Sequence, residues 1–114
     1  MSRDISLYFD DIAICCEKVL RFADGLTFEQ FKKNELIYDA VLRNLEIIGE
    51  ASKHVPEDIQ EKFPQIEWRK IAGFRDIVAH EYFGVTDEIV WDIVENKIAK
   101  LLEQVQLIRN SKFF

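Results

Sequence analysis

At 114 residues the chain has the length of one domain, 1–114, able to bury roughly two-thirds of its unfolded surface, and a second domain is not expected. A formal net charge of -6 argues against broad electrostatic capture of nucleic acid, and a 48% hydrophobic fraction beside 32% charged residues excludes a disordered chain. Only 4 Gly and 2 Pro interrupt long breaker-free runs, which favours helices over a many-stranded sheet.

Residues 4 to 24 place Ile5, Tyr8, Phe9, Ile12, Cys15, Cys16, Val19, Phe22 and Ala23 at steps of three and four, one apolar stripe of an amphipathic helix. Asp10, Asp11, Glu17, Lys18 and Arg21 fall largely on the opposite face, and Gly25 supplies a helix stop. The adjacent Cys15 and Cys16 have no metal-site spacing and disfavour a disulfide with each other, so they read as small core residues in a reducing compartment. Thr27 with Gln30 makes a capping box and Leu26 with Phe31 a hydrophobic staple, so a short helix begins at Thr27.

Asn34 is a cap for a long helix in which Ile37, Val41, Leu45, Ile48 and Ser52 trace one face. Ala40, Leu42, Ile47, Gly49 and Ala51 widen it, and Gly49 at about 1 kcal/mol of lost helix propensity predicts a close helix approach. Glu50 reads first as an exposed or ion-paired carboxylate and only second as a catalytic one, while His54 sits where a cationic imidazole suits the helix C-terminus. Pro56 fits the first turn of another short helix, and Pro64 helps to end it.

The central stretch WRKIAGFRDIVAHEYF, residues 68 to 83, gathers the groups suited to acid-base and phosphate chemistry. Arg75 carries a permanent planar charge, and His80 changes protonation near neutral pH. With 3 Tyr in the chain, the pattern R-x4-H-x-Y, completed by Tyr82, is expected by chance only about 0.003 times, a moderately specific signal.

Trp68, Ile71, Ala72, Val78 and Ala79 form an apolar stripe that includes Arg75, and an Arg set among them needs a partner. Asp76, Glu81 and an acid on another helix all qualify. Asp76 and His80, four apart, share a helix face, so Asp76 can orient His80. Arg75 and His80 are about 140° apart on an ideal helix, so a shared site draws on the length of Arg75, a distorted helix end or a second subunit. Locally the charge is positive, with Lys62, Arg69, Lys70 and Arg75 against Glu67 and Asp76, and a polyanion should approach here.

Thr86, Asp87 and Glu88 then start a long final helix whose apolar face is Ile89, Val90, Ile93, Val94, Ile98, Leu101, Leu102, Val105 and Ile108. Trp91 anchors it to the core or to another subunit, and Phe113 and Phe114 end the chain as frayed or interfacial residues. No apolar run approaches the roughly 20 residues of a membrane span, and MSRDISLYFDD lacks a signal-peptide layout, so a cytoplasmic protein is expected.

With these residues on the page, the chain resembles the HepT-like toxins of the HEPN superfamily. The likeness runs through RDISLYFDDI, DAVLRNLEIIGEASKHVP and IEWRKIAGFRDIVAHEYFGVTDEIVW, and the ordered set IGEA, W-x6-R-x4-H-x-YF and a later VW is far more specific than R-x4-H alone. The resemblance implies an all-α, up-and-down bundle of four main helices plus short ones, a homodimer with the motifs near the interface, and metal-independent RNA cleavage without a cofactor. It also implies a partner, a nucleotidyltransferase antitoxin of the MntA type that adenylylates the motif tyrosine.

Carried onto this chain, Arg75 and His80 are the nuclease residues, Asp76 their polar companion and Tyr82 the modification acceptor. The family often has Asn where this chain has Asp76, which adds negative charge beside a phosphate site and would strengthen His80 as a base. The rival reading is a non-catalytic helical module that binds and assists the nucleotidyltransferase. A third, a structural dimer with buried ion pairs, leaves Tyr82 unexplained.

Overall fold

The chain forms eight helices, the first three opened by side-chain caps, in a computed structural model that describes residues 4–81, 87–111 and 113, the side chains of His80 and Glu81 excepted. Helix α1 spans Ile5–Ala23 and opens on Asp4, whose carboxylate accepts the Ser6 backbone N–H at 2.9 Å. It stops where Gly25 takes φ +76°, a left-handed conformation that side chains rarely adopt. The capping box forms as expected: Gln30 N–H donates to Thr27 Oγ1 at 3.1 Å and Thr27 N–H to Gln30 Oε1 at 3.0 Å, starting α2, Phe28–Lys33. Asn34 ends α2 and begins α3, Glu35–Lys53, its side chain accepting from Ile37 N–H.

Four more short elements and a final long one follow: α4 Glu57–Lys62, α5 Trp68–Ala72, α6 Phe74–Glu81, α7 Asp87–Asn96 and α8 Ile98–Arg109. Pro56 stands one position outside the first turn of α4, as its N-cap. The central stretch is two helices meeting at Gly73, although hydrogen bonds from Gly73 N–H to Arg69 O and from Ile77 N–H to Gly73 O bridge the joint. The single final helix expected after Gly84 is likewise two, parted at Lys97, where φ moves to -115° without any Gly or Pro. The Thr86 cap lies outside the described residues.

Cross-helix contacts fix the directions. Tyr8 near the start of α1 stacks on His54 at the end of α3, and Arg109 at the end of α8 pairs with Asp10 at 2.9 Å, so α1 runs antiparallel to both. Tyr38 donates to Asp87 Oδ1 at 2.8 Å, joining the first turns of α3 and α7. These relations give the all-α, up-and-down bundle that the sequence leads one to expect, with α1 packed between α3 and α8 and α3 also carrying α5 and α6.

Phe9, Ile12, Cys16, Val19, Phe31, Val41, Leu45, Ile48, Val90, Ile98 and Val105 are wholly buried in one core. Both cysteines are buried free thiols, and burial pushes both above the ordinary thiol range, Cys16 furthest. Trp91 packs on Phe31 and Phe28 at ring-centroid distances of 5.0 and 6.0 Å, so its anchor is the core of this chain. Phe113 sits edge-on to Phe63 at 5.1 Å, a packed residue instead of a frayed one, while Phe114 lies outside the described residues.

Asn44, absent from the expected stripe, is buried because its amide donates to Ala40 O at 2.7 Å within the helix. Ile89, placed on that stripe, is 45% exposed. No helix among the described residues is long and apolar enough to cross a membrane.

Candidate active site

Gly49 is where the site begins. A Cβ built there would lie 2.9 Å from Arg75 N and 3.2 Å from Ala72 O, so α3 touches the α5–α6 joint backbone to backbone. This is the close approach that the cost of a mid-helix glycine predicts. It sets the first turn of α6, and with it Arg75, against the last two turns of α3. Below the joint, Phe74 and Val78 enter the core and fix the rotation of α6.

That rotation turns Arg75 outward. Its side chain is 51% exposed, so the placement of Arg75 on an apolar stripe does not hold, and Ala79, assigned to the same stripe, is exposed too. Among the described side chains of α6, Phe74 and Val78 are buried, four apart, and Ile77 is partly so, while Arg75, Asp76 and Ala79 face solvent.

The expected partner for Arg75 exists and comes from another helix. Glu50 Oε2 lies 2.8 Å from Arg75 Nη1. The other carboxylate oxygen, Oε1, lies 3.5 Å from His54 Nε2 one turn further along α3. His54 in turn lies parallel to the Tyr8 ring, 5.2 Å between centroids and 10° between planes. A chain of contacts thus runs from α6 through α3 to α1: Arg75, Glu50, His54, Tyr8.

The Tyr8–Glu50–His54 end of this chain borders a shallow groove of about 330 Å³, which Asp11, Arg43, Glu46, Ile47 and Ala51 complete. Arg43 is held by Glu46 at 3.1 Å. A second groove, about 410 Å³, lies between α5, α6, α7 and α8, floored by Ile71, Phe74, Ile93 and Leu101 with Lys70, Lys97 and Lys100 at its rim. Sequence patterning did not indicate either groove, because each needs side chains from helices far apart in the chain.

Asp76 lies exposed in the first turn of α6, where its charge suits the helix N-terminus. His80 belongs to the last turn of the same helix, and its side chain is outside the described residues, as is the whole of Tyr82. The structure therefore brings Arg75 of α6 together with Glu50 of α3, and Asp76 follows Arg75 on α6. The local positive charge is mostly engaged: Lys70 pairs with Glu67 at 2.7 Å, and Lys62 rides over the Phe113 ring at 5.3 Å. Among the described residues no group of three or more His, Cys, Asp or Glu is arranged to hold a metal ion.

Comparison with known proteins extends this picture. The family model described as "Ribonuclease HepT-like" matches residues 12–108. A protein of Methanocaldococcus jannaschii named "Putative RNase" is 39% identical over 106 residues, 93% of this chain and 88% of that one. A Caldanaerobacter subterraneus protein of the same name is 41% identical over 101 residues, 89% of this chain and 90% of its own. The "Probable ribonuclease HepT" of Thermococcus cleftensis is 38% identical over 109 residues, 96% and 99% of the two chains. No solved structure matches. With an all-α fold and a family match that takes in the whole segment from Glu50 to Tyr82, this chain belongs to the HepT-like ribonuclease family.

Proposed function

We propose that the chain is the toxin of a toxin–antitoxin pair, a cytoplasmic homodimeric endoribonuclease that cuts RNA without a metal ion through Arg75 and His80. The observation that carries this reading is the family match over residues 12–108, within which R-x4-H-x-Y is complete. The chemistry suits those residue types. His80 takes the proton of a ribose 2′-hydroxyl as its oxygen attacks phosphorus. The P–O5′ bond breaks, the leaving oxygen takes up a proton, and a cyclic phosphate remains. Arg75 stabilises the charge that builds on the phosphate oxygens, and its half-exposed guanidinium is open to a polyanion. Asp76, four residues before His80, orients the imidazole. Arg75 and His80 are five residues apart, about 140° around an ideal helix, and in this reading a second subunit completes the site.

Regulation falls to Tyr82. A nucleotidyltransferase antitoxin of the MntA type transfers AMP from ATP to its phenolic oxygen and releases pyrophosphate. The attached phosphate then competes with RNA for the positive field of Arg75.

The test is cleavage of defined RNA in excess chelator by the unmodified protein beside His80→Ala, both checked for fold and dimer. Cleavage by wild type alone supports the reading. The ion pair that already occupies Arg75 favours one alternative, a non-catalytic module that binds the nucleotidyltransferase. That module is the better account if neither protein cuts any of several RNAs and His80→Ala loses the partner.

A further inference from the structure

A phosphate-stabilising arginine works best when it is already aimed, because a side chain that must be ordered at the moment of reaction gives back part of its stabilisation in entropy. Arg75 is half exposed on the surface of α6, where an arginine would ordinarily sample many rotamers. Two contacts with α3 restrict that freedom. Gly49 holds the Arg75 backbone at close range, and the adjacent residue, Glu50, holds the side-chain tip at 2.8 Å. Fixing both ends of one side chain from consecutive residues of a neighbouring helix is more than a surface ion pair needs.

Glu50 is itself held. Its second oxygen faces His54 at 3.5 Å, and His54 is stacked flat on Tyr8 from α1. The ion pair is made at Arg75 Nη1, and a guanidinium has five N–H donors in a fixed fork. The carboxylate can therefore steer the group while other donors meet a phosphate.

We propose that Glu50 is the positioning residue of the site: it aims Arg75 at the substrate phosphate and is backed by the His54–Tyr8 stack. The proposal rests on the ribonuclease reading above and assigns Glu50 no contact with RNA. It also separates aim from affinity. The Glu50 charge opposes an incoming polyanion, so its removal leaves RNA binding as tight or tighter while the catalytic step slows. A merely structural role would do neither. A half-exposed ion pair contributes little to stability, so the fold should tolerate the change.

The experiment compares kcat and KM for RNA cleavage in wild type, Glu50→Ala, Glu50→Gln, Arg75→Ala and the double variant Glu50→Ala with Arg75→Ala. Each is matched for melting temperature, and Arg75 Nε–H resonances are recorded alongside. The expected result is a fall in kcat of about 10²-fold in Glu50→Ala with KM unchanged or lower. Glu50→Gln, which keeps the reach and one acceptor, should recover most of that loss, and Glu50→Ala should add nothing in the Arg75→Ala background. A Glu50→Ala kcat within twofold of wild type overturns the proposal, as does a further loss in the Arg75→Ala background.

If the unmodified wild type cuts no RNA, the ribonuclease reading has failed and the resonances decide the role of Glu50 separately. Signals from a restrained Arg75 that become averaged in Glu50→Ala sustain the positioning role, and signals identical in both proteins end it.

Discussion

The Gly49 Cα and the Arg75 backbone nitrogen approach so closely that a single added methyl group would stand 2.9 Å from that nitrogen. Neither neighbour in this contact is the movable end of a side chain, since Ala72 O, 3.2 Å away, is backbone as well. Gly49→Ala must therefore push α3 and the α5–α6 joint apart. Helix propensity favours alanine by about 1 kcal/mol, and overpacking costs typically about 1–3 kcal/mol, so the sign is net destabilising or near neutral. The displacement falls on Arg75 in either case. Chemical denaturation should show a loss of at most about 2 kcal/mol, while RNA cleavage drops by much more than that loss explains. A variant with wild-type cleavage would show that the aim of Arg75 does not depend on this contact.

Thr27→Ala tests the opposite case, a stabilising contact distant from the site. The variant loses the acceptor for Gln30 N–H and half of the capping box, at a cost of about 1 kcal/mol. Its urea midpoint should fall with the slope unchanged. Cleavage measured well below the melting temperature should match wild type, because α2 contributes no residue to either end of the Arg75 chain of contacts.

These two positions also mark what could be read from sequence. The caps at Thr27 and Asn34 and the stop at Gly25 were legible because each depends on residues within three places of one another. Gly49 was legible as a cost that needed a reason. Asp76, Glu81 or any acid on another helix could have paired with Arg75, and choosing Glu50 required the rotation of α6, set by Phe74 and Val78 entering the core. The stripe that included Arg75 and Ala79 failed for the same cause: it treated residues 68–79 as one helix, whereas the joint at Gly73 begins a new one. The break at Lys97, where φ is -115°, carried no Gly or Pro signal.

Tyr38 and Asp87 offer a third measurement. Their 2.8 Å hydrogen bond joins the starts of α3 and α7, the latter directly after the segment that holds Tyr82. Tyr38→Phe keeps the ring against Phe31, 5.1 Å between centroids, and removes only the hydroxyl. The expected loss is about 1 kcal/mol, with the upper range near 1.5–3 because the acceptor is charged. Hydrogen exchange should rise most in the first turn of α7. Equal exchange throughout the molecule in the variant and wild type would mean that the bond does not hold that turn.

The alkaline limit of stability should depend on Cys16. Burial raises the folded thiol above its ordinary value, first through desolvation and then through the neighbouring Cys15 and Glu17. Below the unfolded pKa, near 9.0, both states carry the neutral thiol and its buried contribution is fully present. As pH rises beyond that value, the unfolded chain releases the proton while the folded chain retains it, so the unfolded state gains and stability falls. Cys16→Ala removes this linkage at the cost of a small cavity. Its stability should be lower than wild type at pH 7, by about 1 kcal/mol, and should decline less steeply between pH 9 and about 10.5. The same burial predicts that a thiol reagent modifies Cys16 no faster than the protein unfolds. Parallel alkaline slopes for the two proteins, or rapid labelling of Cys16 in the folded state, would show that this thiol is less shielded than its place on the buried face of α1 implies.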